Sequence, residues 1–383
     1  MDFTWPREYL DFKERVSDFA QNELNGDPKA DDHNQRFPSE LWAKCADFGI
    51  QGLSLPAKYG GPLEEVDFLR ALVGMEALGY GCRDNGLALA LNAQMWTVQV
   101  PIRDFGNEEQ KKRYLPALAK GEIVGAHALT EVDAGSDVMA MKLSAEKVAG
   151  GYRLNGRKRY ITAGPIADVV LIFAITNPDH GAWGISAFLV EKGTPGFIQS
   201  EKQDKLGMRS VPIGNFEFKD CFLPESAILG RPGLGFAITN HSLEYDRCCI
   251  MASQLGAMQR QLEESVNYAK ERKQFGQSIG KFQAVSHRLV DMRVRLETAR
   301  LLLYKVAWMK QQGKSAVMEA AMLKLHISES FVASSMDAMR TRSGDGYLGG
   351  GGVDRDLRDA IGGLIYAGTS DIQKNIIAKY LGL

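Results

Sequence analysis

Apolar residues recur at helical spacing in the first third of the chain. The segment "EYLDFKERVSDFAQNEL" carries four of them at roughly helical spacing, namely Leu10, Phe12, Val16 and Phe19. That spacing is typical of an amphipathic α-helix that buries one face. The segment "NEEQKKRYLPALAKGE" shows a similar pattern and ends at a glycine. We therefore predict a helical domain over residues 1–122.

The pattern changes near residue 123, where short β-branched and aromatic runs replace the helical spacing. The runs "YRLNGRKRYIT", "DVVLIFAIT", "ISAFLVEK" and "GNFEFKDCFL" are separated by turn residues, as strands are. The pair Asn155-Gly156 lies between two such runs and is the usual signature of a tight hairpin. Residues 123–232 are therefore predicted to form a small antiparallel β domain with a turn at this pair.

Helical spacing returns after residue 233 and is sustained over three long segments. In the second segment the apolar stripe consists of Val285, Leu289, Met292, Leu296 and Leu303. Long amphipathic helices in succession favour a bundle. The predicted fold class is thus α+β multidomain and mainly α, with a helical bundle over residues 233–383.

Charge and cysteine content exclude several classes of function. The net charge of −1 gives no basic surface for nucleic acid or a membrane. The five cysteines form no CxxC pair, which favours reduced thiols in a cytoplasmic protein, and no His/Cys cluster has metal-binding spacing. The start "MDFTWPREYLDF" does not have the pattern of a signal peptide, and no apolar run reaches membrane-spanning length.

Two stretches rich in small residues could seat an anion. "GDGYLG" (344–349) matches GxGxxG, but a helical pattern precedes it, so a loop between helices is favoured over a dinucleotide fold. "LIYAGTSDIQ" (364–373) places small residues, Ser and Asp where a helix begins, and free backbone N–H groups there can bind an anion or an oxygen. Neither stretch contains an obvious base.

Six motifs in chain order resemble those of the acyl-CoA dehydrogenase superfamily: "LTEVDAGSD", "KRYITAG", "LGMRS", "ERKQFGQSIGKFQ", "GDGY…LRDA" and "YAGTSDIQ". The resemblance covers essentially the whole chain. It implies an N-terminal helical domain, a middle antiparallel β domain and a C-terminal four-helix bundle. It also implies FAD as the cofactor and a homotetramer, with a dimer as the alternative assembly.

Shorter stretches, among them "PIADV", "RQLEES", "AVSHR", "LETARLLL" and "KLHISE", are similar to dehydrogenases that oxidise prolyl groups tethered to carrier proteins in natural-product pathways. The implied reaction is FAD-dependent α,β-dehydrogenation of an acyl or aminoacyl thioester on an acyl or peptidyl carrier protein. The alternatives are a short-chain acyl-CoA dehydrogenase acting on a CoA thioester, and a flavin-dependent oxidase or hydroxylase of the same fold. An electron-transferring flavoprotein or oxygen would then accept the electrons.

The resemblance also implies which residues contact the flavin ring and the rest of the nucleotide. The positions matching ring contacts, or bordering them, are His127, Leu129, Thr130, Ser136, Tyr160 and Thr162. Those matching pyrophosphate and adenine contacts from a neighbouring subunit, or lying in the same stretch, are Arg272, Gln274, Phe275 and Gln283. The glycine loop contributes Gly344 and Gly346, and the start of the last helix contributes Thr369 and Asp371. Arg340 stands where many relatives have Gln, and either adds charge at the pyrophosphate or points elsewhere.

The base is the main departure from the family pattern. Most members have a glutamate where this chain has Ala367, although a backbone N–H that polarises the thioester oxygen survives this change. Some relatives supply the acid just before an arginine in the first bundle helix, and here Asp246 precedes Arg247. Asp246 is therefore the predicted base. Glu244 is the alternative, about 200° around the helix, and a third possibility is that neither acid acts.

Overall fold

The N-terminal region is helical in the computed structural model, which describes residues 5–383. Residues 1–4 lie outside the described residues. They belong to the start of the sequence, which does not have the pattern of a signal peptide. The helices are α1 (Arg7–Glu23), α2 (Pro28–Asn34), α3 (Ser39–Phe48), α4 (Phe68–Gly81), α5 (Asn85–Gln94), α6 (Val100–Phe105) and α7 (Glu108–Ala119). On α1, Phe12, Val16 and Ala20 are buried, whereas Leu10, which was predicted to share this face, is 50% exposed. The prediction for Leu10 is wrong because it lies two positions before Phe12, which places it about 200° around the helix, on the exposed side.

One sheet forms the middle of the chain. Its strands are β1 (Gly125–Ala128), β2 (Ser144–Val148), β3 (Gly151–Thr162), β4 (Val169–Ile175), β5 (Ile185–Glu191), β6 (Phe197–Gln199), β7 (Ile213–Pro224) and β8 (Ile228–Leu229). They lie in the order β6-β7-β3-β2-β4-β5-β8, with β1 against β4. Most pairs are antiparallel, but β1 and β2 both run parallel to β4. The middle β domain is confirmed, with these two parallel pairings added.

The hairpin predicted at Asn155-Gly156 is wrong. Strand β3 runs through both residues, and its turn with β2 is formed by Ala149 and Gly150, which has φ +78°. Gly156, with φ +140°, instead lies where the pairing of β3 with β7 slips, at a β-bulge. A bulge and a tight turn both favour glycine in this backbone region, so local sequence does not separate them.

Long helices return after the sheet. They are α8 (Gly235–Glu271), α9 (Gln283–Gln311) and α10 (Val317–Arg342), followed by the shorter α11 (Gly344–Tyr347), α12 (Val353–Gly363) and α13 (Ser370–Tyr380). A small hairpin of β9 (Lys273–Gln274) and β10 (Gln277–Ser278) connects α8 to α9. Helix α10 packs on α8, α9, α12 and α13. The first four residues of "GDGYLG" form α11, a short helical turn that is separated from α10 by Ser343, whose φ is +54°. A helix and not a strand precedes the stretch.

A continuous apolar core joins the N-terminal helices to the bundle. Helices α4 and α8 approach closely because glycines face each other: a Cβ at Gly256 would lie 2.0 Å from the carbonyl oxygen of Glu76. A second core lies within the sheet. Within residues 5–383, none of the helices is both long and apolar enough to cross a membrane.

Candidate active site

Asp246 lies near the start of α8 with 7% of its surface exposed. Its Oδ1 atom has no hydrogen-bond partner among residues 5–383. Burial raises the pKa of Asp246 to about 7, and the positive charges of Arg247 and Lys324 oppose that rise. A buried carboxyl group that titrates near neutrality and has an unused oxygen is suited to accept a proton from a bound molecule.

Glu244, the alternative base, has its carboxylate occupied by protein groups. Its Oε1 accepts from the Lys310 Nζ at 2.6 Å and from the backbone N–H of Ala316 at 3.3 Å. These partners lie on α9 and just before α10, whereas Asp246 lies about 200° around α8. The structure therefore separates the two carboxylates and leaves an unbonded oxygen on Asp246.

Ala367 lies in the turn between α12 and α13 with φ +54°, a left-handed conformation. Its N–H has no acceptor in the part of the chain that the structure describes. The side chain of Gln373 donates to the carbonyl oxygens of Ala367, at 3.2 Å, and Gly368, at 3.0 Å, which holds the turn. The Thr369 hydroxyl accepts from the N–H of Ile372 at 3.3 Å and caps α13, as the pattern of the sequence predicts.

Tyr366 and Gln254 connect this turn to the helix that carries Asp246. The Gln254 side chain on α8 donates to the Tyr366 hydroxyl. Burial and the nearby Asp246 raise the pKa of Tyr366. A Cβ at Gly363 would lie 3.0 Å from the Gln254 amide nitrogen and 3.4 Å from the Cβ of Ser328 on α10. Helices α8, α10 and α12 therefore converge at Gln254, about 12 Å along α8 from Asp246.

The middle-domain residues that were predicted to contact the flavin ring lie together, because the segment after β1 is hydrogen-bonded to β3. The Lys158 Nζ donates to the Leu129 carbonyl at 3.0 Å, and the Arg159 N–H donates to the Thr130 carbonyl at 2.8 Å. These bonds place the residues after β1 next to the end of β3, which carries Tyr160 and Thr162. Tyr160 has φ +60° and is 52% exposed, and the guanidinium of Arg159 lies 4.6 Å from the centre of its ring. The exposed part of the ring can meet a ligand. Ser136 lies further along the same loop and is exposed.

His127 supplies an unused polar atom at this surface. Its Nε2 is buried and has no partner among residues 5–383. Burial, with the charge of Lys158, lowers the pKa of His127 to about 4, so the ring is neutral at pH 7. A neutral ring nitrogen of this kind fits a polar heterocycle such as the flavin of FAD better than it fits an anion.

The remaining nucleotide contacts lie far from Asp246 in the same chain. Arg272 follows the end of α8, 26 residues beyond Asp246, and at 1.5 Å per residue that is about 39 Å. The exposed residues at this end are Arg272, Gln274, Phe275, Gln283, Arg340 and Gly344, with the buried Gly346 beside them. Phe275 is 91% exposed, and Arg340 makes only a 4.0 Å contact with Asp337. One chain does not bring the two sets of residues to the same nucleotide.

Sequence reasoning missed three residues on the elements that surround Asp246. Lys324, Tyr366 and Gln254 come from separate helices or turns and meet only in the folded chain. The quoted stretches "KLHISE" and "YAGTSDIQ" contain Lys324 and Tyr366, but a motif alone does not show which side chains are buried.

A helical domain, a mainly antiparallel sheet and a helical bundle, with a buried carboxyl group beside a capped helix start, define the class of acyl-CoA dehydrogenase folds. The acyl-CoA dehydrogenase N-terminal, middle and C-terminal domain families match residues 6–122, 126–221 and 233–382. The chain therefore belongs to the acyl-CoA dehydrogenase family. The predicted boundaries at 122/123 and 232/233 stay predictions.

One similar protein and two similar solved structures show which members of the family this chain resembles. The L-prolyl-[peptidyl-carrier protein] dehydrogenase of Pseudomonas fluorescens is 43% identical over 353 residues, 92% of each chain. The crystal structure of the prolyl acyl carrier protein oxidase AnaB has a TM-score of 0.97 at 44% identity and covers 99% of this chain and 100% of its own. The FAD complex of PigA has a TM-score of 0.97 at 42% identity over 100% of both chains. The predicted family, fold class and FAD-dependent dehydrogenase class are confirmed.

Proposed function

We propose that the protein is an FAD-dependent dehydrogenase that introduces an α,β double bond into a prolyl thioester tethered to a carrier protein. The observation that carries this proposal is the match, over nearly the whole chain, to prolyl-carrier enzymes rather than to one domain of them. The same match supports a place in natural-product biosynthesis. FAD, when bound, accepts the hydride that leaves the β-carbon of the thioester.

Asp246 takes the α-proton in this proposal. Its unused Oδ1 and its raised pKa support the assignment. The carboxylate is dry, so it is a stronger base than a solvated aspartate and needs no solvent rearrangement to accept a proton. An aspartate is one methylene shorter than the glutamate of most relatives, so the substrate α-carbon must sit close to α8.

The backbone N–H of Ala367 binds the thioester oxygen. Its lack of a protein acceptor and its left-handed conformation support this role. A fixed donor at that oxygen makes the α-proton more acidic, because negative charge moves onto the oxygen as the proton leaves. Alanine keeps the donor although it has lost the family's carboxylate.

FAD is held between two chains in this proposal. His127, Thr130, Tyr160 and Thr162 of one subunit would hold the ring, and the Arg272 end of a neighbour would hold the pyrophosphate and adenine. The proposed assembly is a homotetramer, and a dimer is the alternative. The outer face of α9 supports it, since Val290, Val294, Leu301 and Trp308 are each more than half exposed. Sedimentation velocity of the FAD-loaded protein should give four chains; a monomer would contradict shared FAD.

Two alternatives remain in the same fold. A short-chain acyl-CoA dehydrogenase would use the same base and oxygen site with a CoA thioester. A flavin-dependent oxidase or hydroxylase is favoured less, because Asp246 is buried rather than turned to solvent.

Either an electron-transferring flavoprotein or oxygen reoxidises the flavin; mixing reduced enzyme with each acceptor separates these two possibilities. A cytoplasmic location stays a prediction.

The substrate is tested by anaerobic reduction of the bound flavin. FAD-loaded protein is mixed with a prolyl-carrier-protein thioester, prolyl-CoA or butyryl-CoA, and the oxidised-flavin absorbance is followed. We expect the carrier thioester to reduce the flavin at least about tenfold faster than either CoA ester, because docking of the carrier adds binding energy remote from the reacting atoms. Equal rates with prolyl-CoA would remove the carrier requirement, and faster reduction by butyryl-CoA would favour the short-chain alternative.

A further inference from the structure

Lys324 is a fully buried lysine on α10, with 0% of its surface exposed. Its Nζ atom has no hydrogen-bond or ion-pair partner among residues 5–383. A buried ammonium group without a partner is costly, so lysines of this kind are rare and are usually paired. No role in the fold explains why a charged group stands here in place of a methionine or leucine.

The charged and titratable groups around Lys324 come from each helix that packs nearby. The charged groups that act on Lys324 are Asp246 and Arg247 of α8 and Glu329 of α10, and His326 lies two residues further along α10. Asp246 in turn lies near Cys249 of α8 and Tyr366 of the turn after α12, Tyr366 lies near Asp359 of α12, and Glu244 is paired with Lys310 of α9. Glu329 is exposed. Asp246 is therefore the buried anion that faces the lysine.

Lys324 and Asp246 act on each other through space. Burial lowers the pKa of Lys324 to about 8, and Asp246 is the largest influence that opposes this change. No direct ion pair joins the two groups, so one oxygen of Asp246 stays unbonded. Arg247 favours the charged form of Asp246 more strongly than Lys324 does, but Arg247 also interacts with the carboxylate of Glu244. Lys324 has no comparable second buried partner.

We propose that Lys324 is a positioning residue that keeps Asp246 in the carboxylate form in which it accepts the substrate proton. The inference rests on the proposed function, in which Asp246 is the base. Lys324 itself touches neither substrate nor FAD and transfers no proton. Its separation from Asp246 matters: a direct ion pair would occupy the oxygen that must face the substrate, whereas a cation at longer range stabilises the charge and leaves that oxygen free.

The pH dependence of flavin reduction tests this role. In Lys324→Met, which removes the charge and keeps a similar volume, the acidic midpoint of kcat/KM should move up by about one pH unit, because an opposite charge nearby shifts a carboxyl pKa by about that much. Lys324→Arg should return the midpoint toward that of the wild type. The matched control is Lys310→Met, which removes the cation paired with Glu244 and should leave the midpoint where it is. A purely structural role for Lys324 would lower kcat without moving the midpoint.

Infrared titration separates this inference from the assignment of the base. The carboxylic-acid stretch of Asp246, identified as the band lost in Asp246→Asn, is followed from acid to alkaline pH without substrate, in protein with and without FAD. Lys324→Met should raise its midpoint by the same one unit. An unchanged midpoint would overturn the role of Lys324 even if Asp246→Asn is inactive. A shifted midpoint with a fully active Asp246→Asn would keep the electrostatic pairing and remove Asp246 as the base.

Discussion

Asp246→Asn should lower the rate of flavin reduction by about 10²–10⁴-fold, the usual contribution of a positioned general base. Asparagine preserves the shape of the side chain and removes the group that accepts the α-proton. The assay is rapid mixing of FAD-loaded protein with the prolyl-carrier thioester. FAD content and far-ultraviolet circular dichroism should match the wild type, because the carboxyl oxygen that is lost makes no protein hydrogen bond.

Glu244→Gln is the matched comparison, since it makes the same chemical change two residues earlier in α8. It breaks the 2.6 Å contact with Lys310, and we expect a much smaller loss, below about tenfold, consistent with a partly exposed ion pair. A larger loss in Glu244→Gln than in Asp246→Asn would transfer the role of base to Glu244. Full turnover in both variants would exclude both acids.

Asp246→Asn should also change how the stability of the FAD-free protein depends on pH. Burial raises the pKa of Asp246 to about 7, above about 3.9 in an unfolded chain. The stability contributed by the protonated carboxyl is fully present below the unfolded pKa and is lost as pH rises through 7. Asparagine has no proton to lose. The variant should therefore gain stability over the wild type between pH 4 and pH 7, reaching about 4 kcal/mol, as measured by urea unfolding at pH 5 and pH 8.

Lys158→Met should destabilise the protein by about 3–5 kcal/mol, the range found when one partner of a buried ion pair is removed. Lys158 is 0% exposed, and its Nζ lies 2.8 Å from Glu131. Glu131 also accepts from the backbone N–H groups of Lys142, at 2.6 Å, and Leu143, at 3.1 Å. Without the lysine, a buried carboxylate is left uncompensated. The loop from 129 to 143 then loses its side-chain attachment to β3 and keeps only the backbone bond from Arg159 to Thr130. FAD binding should weaken.

Arg157→Met is the control for this variant, because it removes the cation of the neighbouring residue. Arg157 pairs with Glu217 at 2.7 Å, but its side chain is 71% exposed, so we expect a loss below about 1 kcal/mol. Guanidinium chloride unfolding and FAD titration measure both variants. If Lys158→Met is no less stable than Arg157→Met, the buried pair does not hold the loop; adding Glu131→Gln to Lys158→Met should recover part of the loss.

The sequence predicts the three structural regions because their patterns differ over long windows. The stripe on α9 is confirmed, with Met292, Leu296 and Leu303 buried. The error at Asn155-Gly156 has a physical origin: a glycine with positive φ suits a bulge as well as a turn, and only the pairing of β3 with β2 and β7 decides between them. A local sequence pattern does not show which strand a residue pairs with.

Some features of the candidate site could likewise be predicted from the sequence, and others could not. The cap at Thr369 follows from local chemistry and is confirmed. Asp246 and Ala367 come from resemblance, while their burial and unused hydrogen-bonding groups are visible only in three dimensions. Lys324 and Tyr366 could not be predicted, because no sequence pattern shows that α10 and the turn after α12 meet α8 at this point.

Exchange of the substrate α-proton with solvent tests most directly whether Asp246 is the base. FAD-loaded protein is incubated in deuterium oxide with a carrier-bound thioester that has an α-proton but no β-hydrogen, so that proton removal is not followed by oxidation. Mass spectrometry of the released acyl group then counts deuterium at the α-carbon. The wild type and Glu244→Gln should incorporate deuterium and Asp246→Asn should not; incorporation by Asp246→Asn at the wild-type rate would contradict the account.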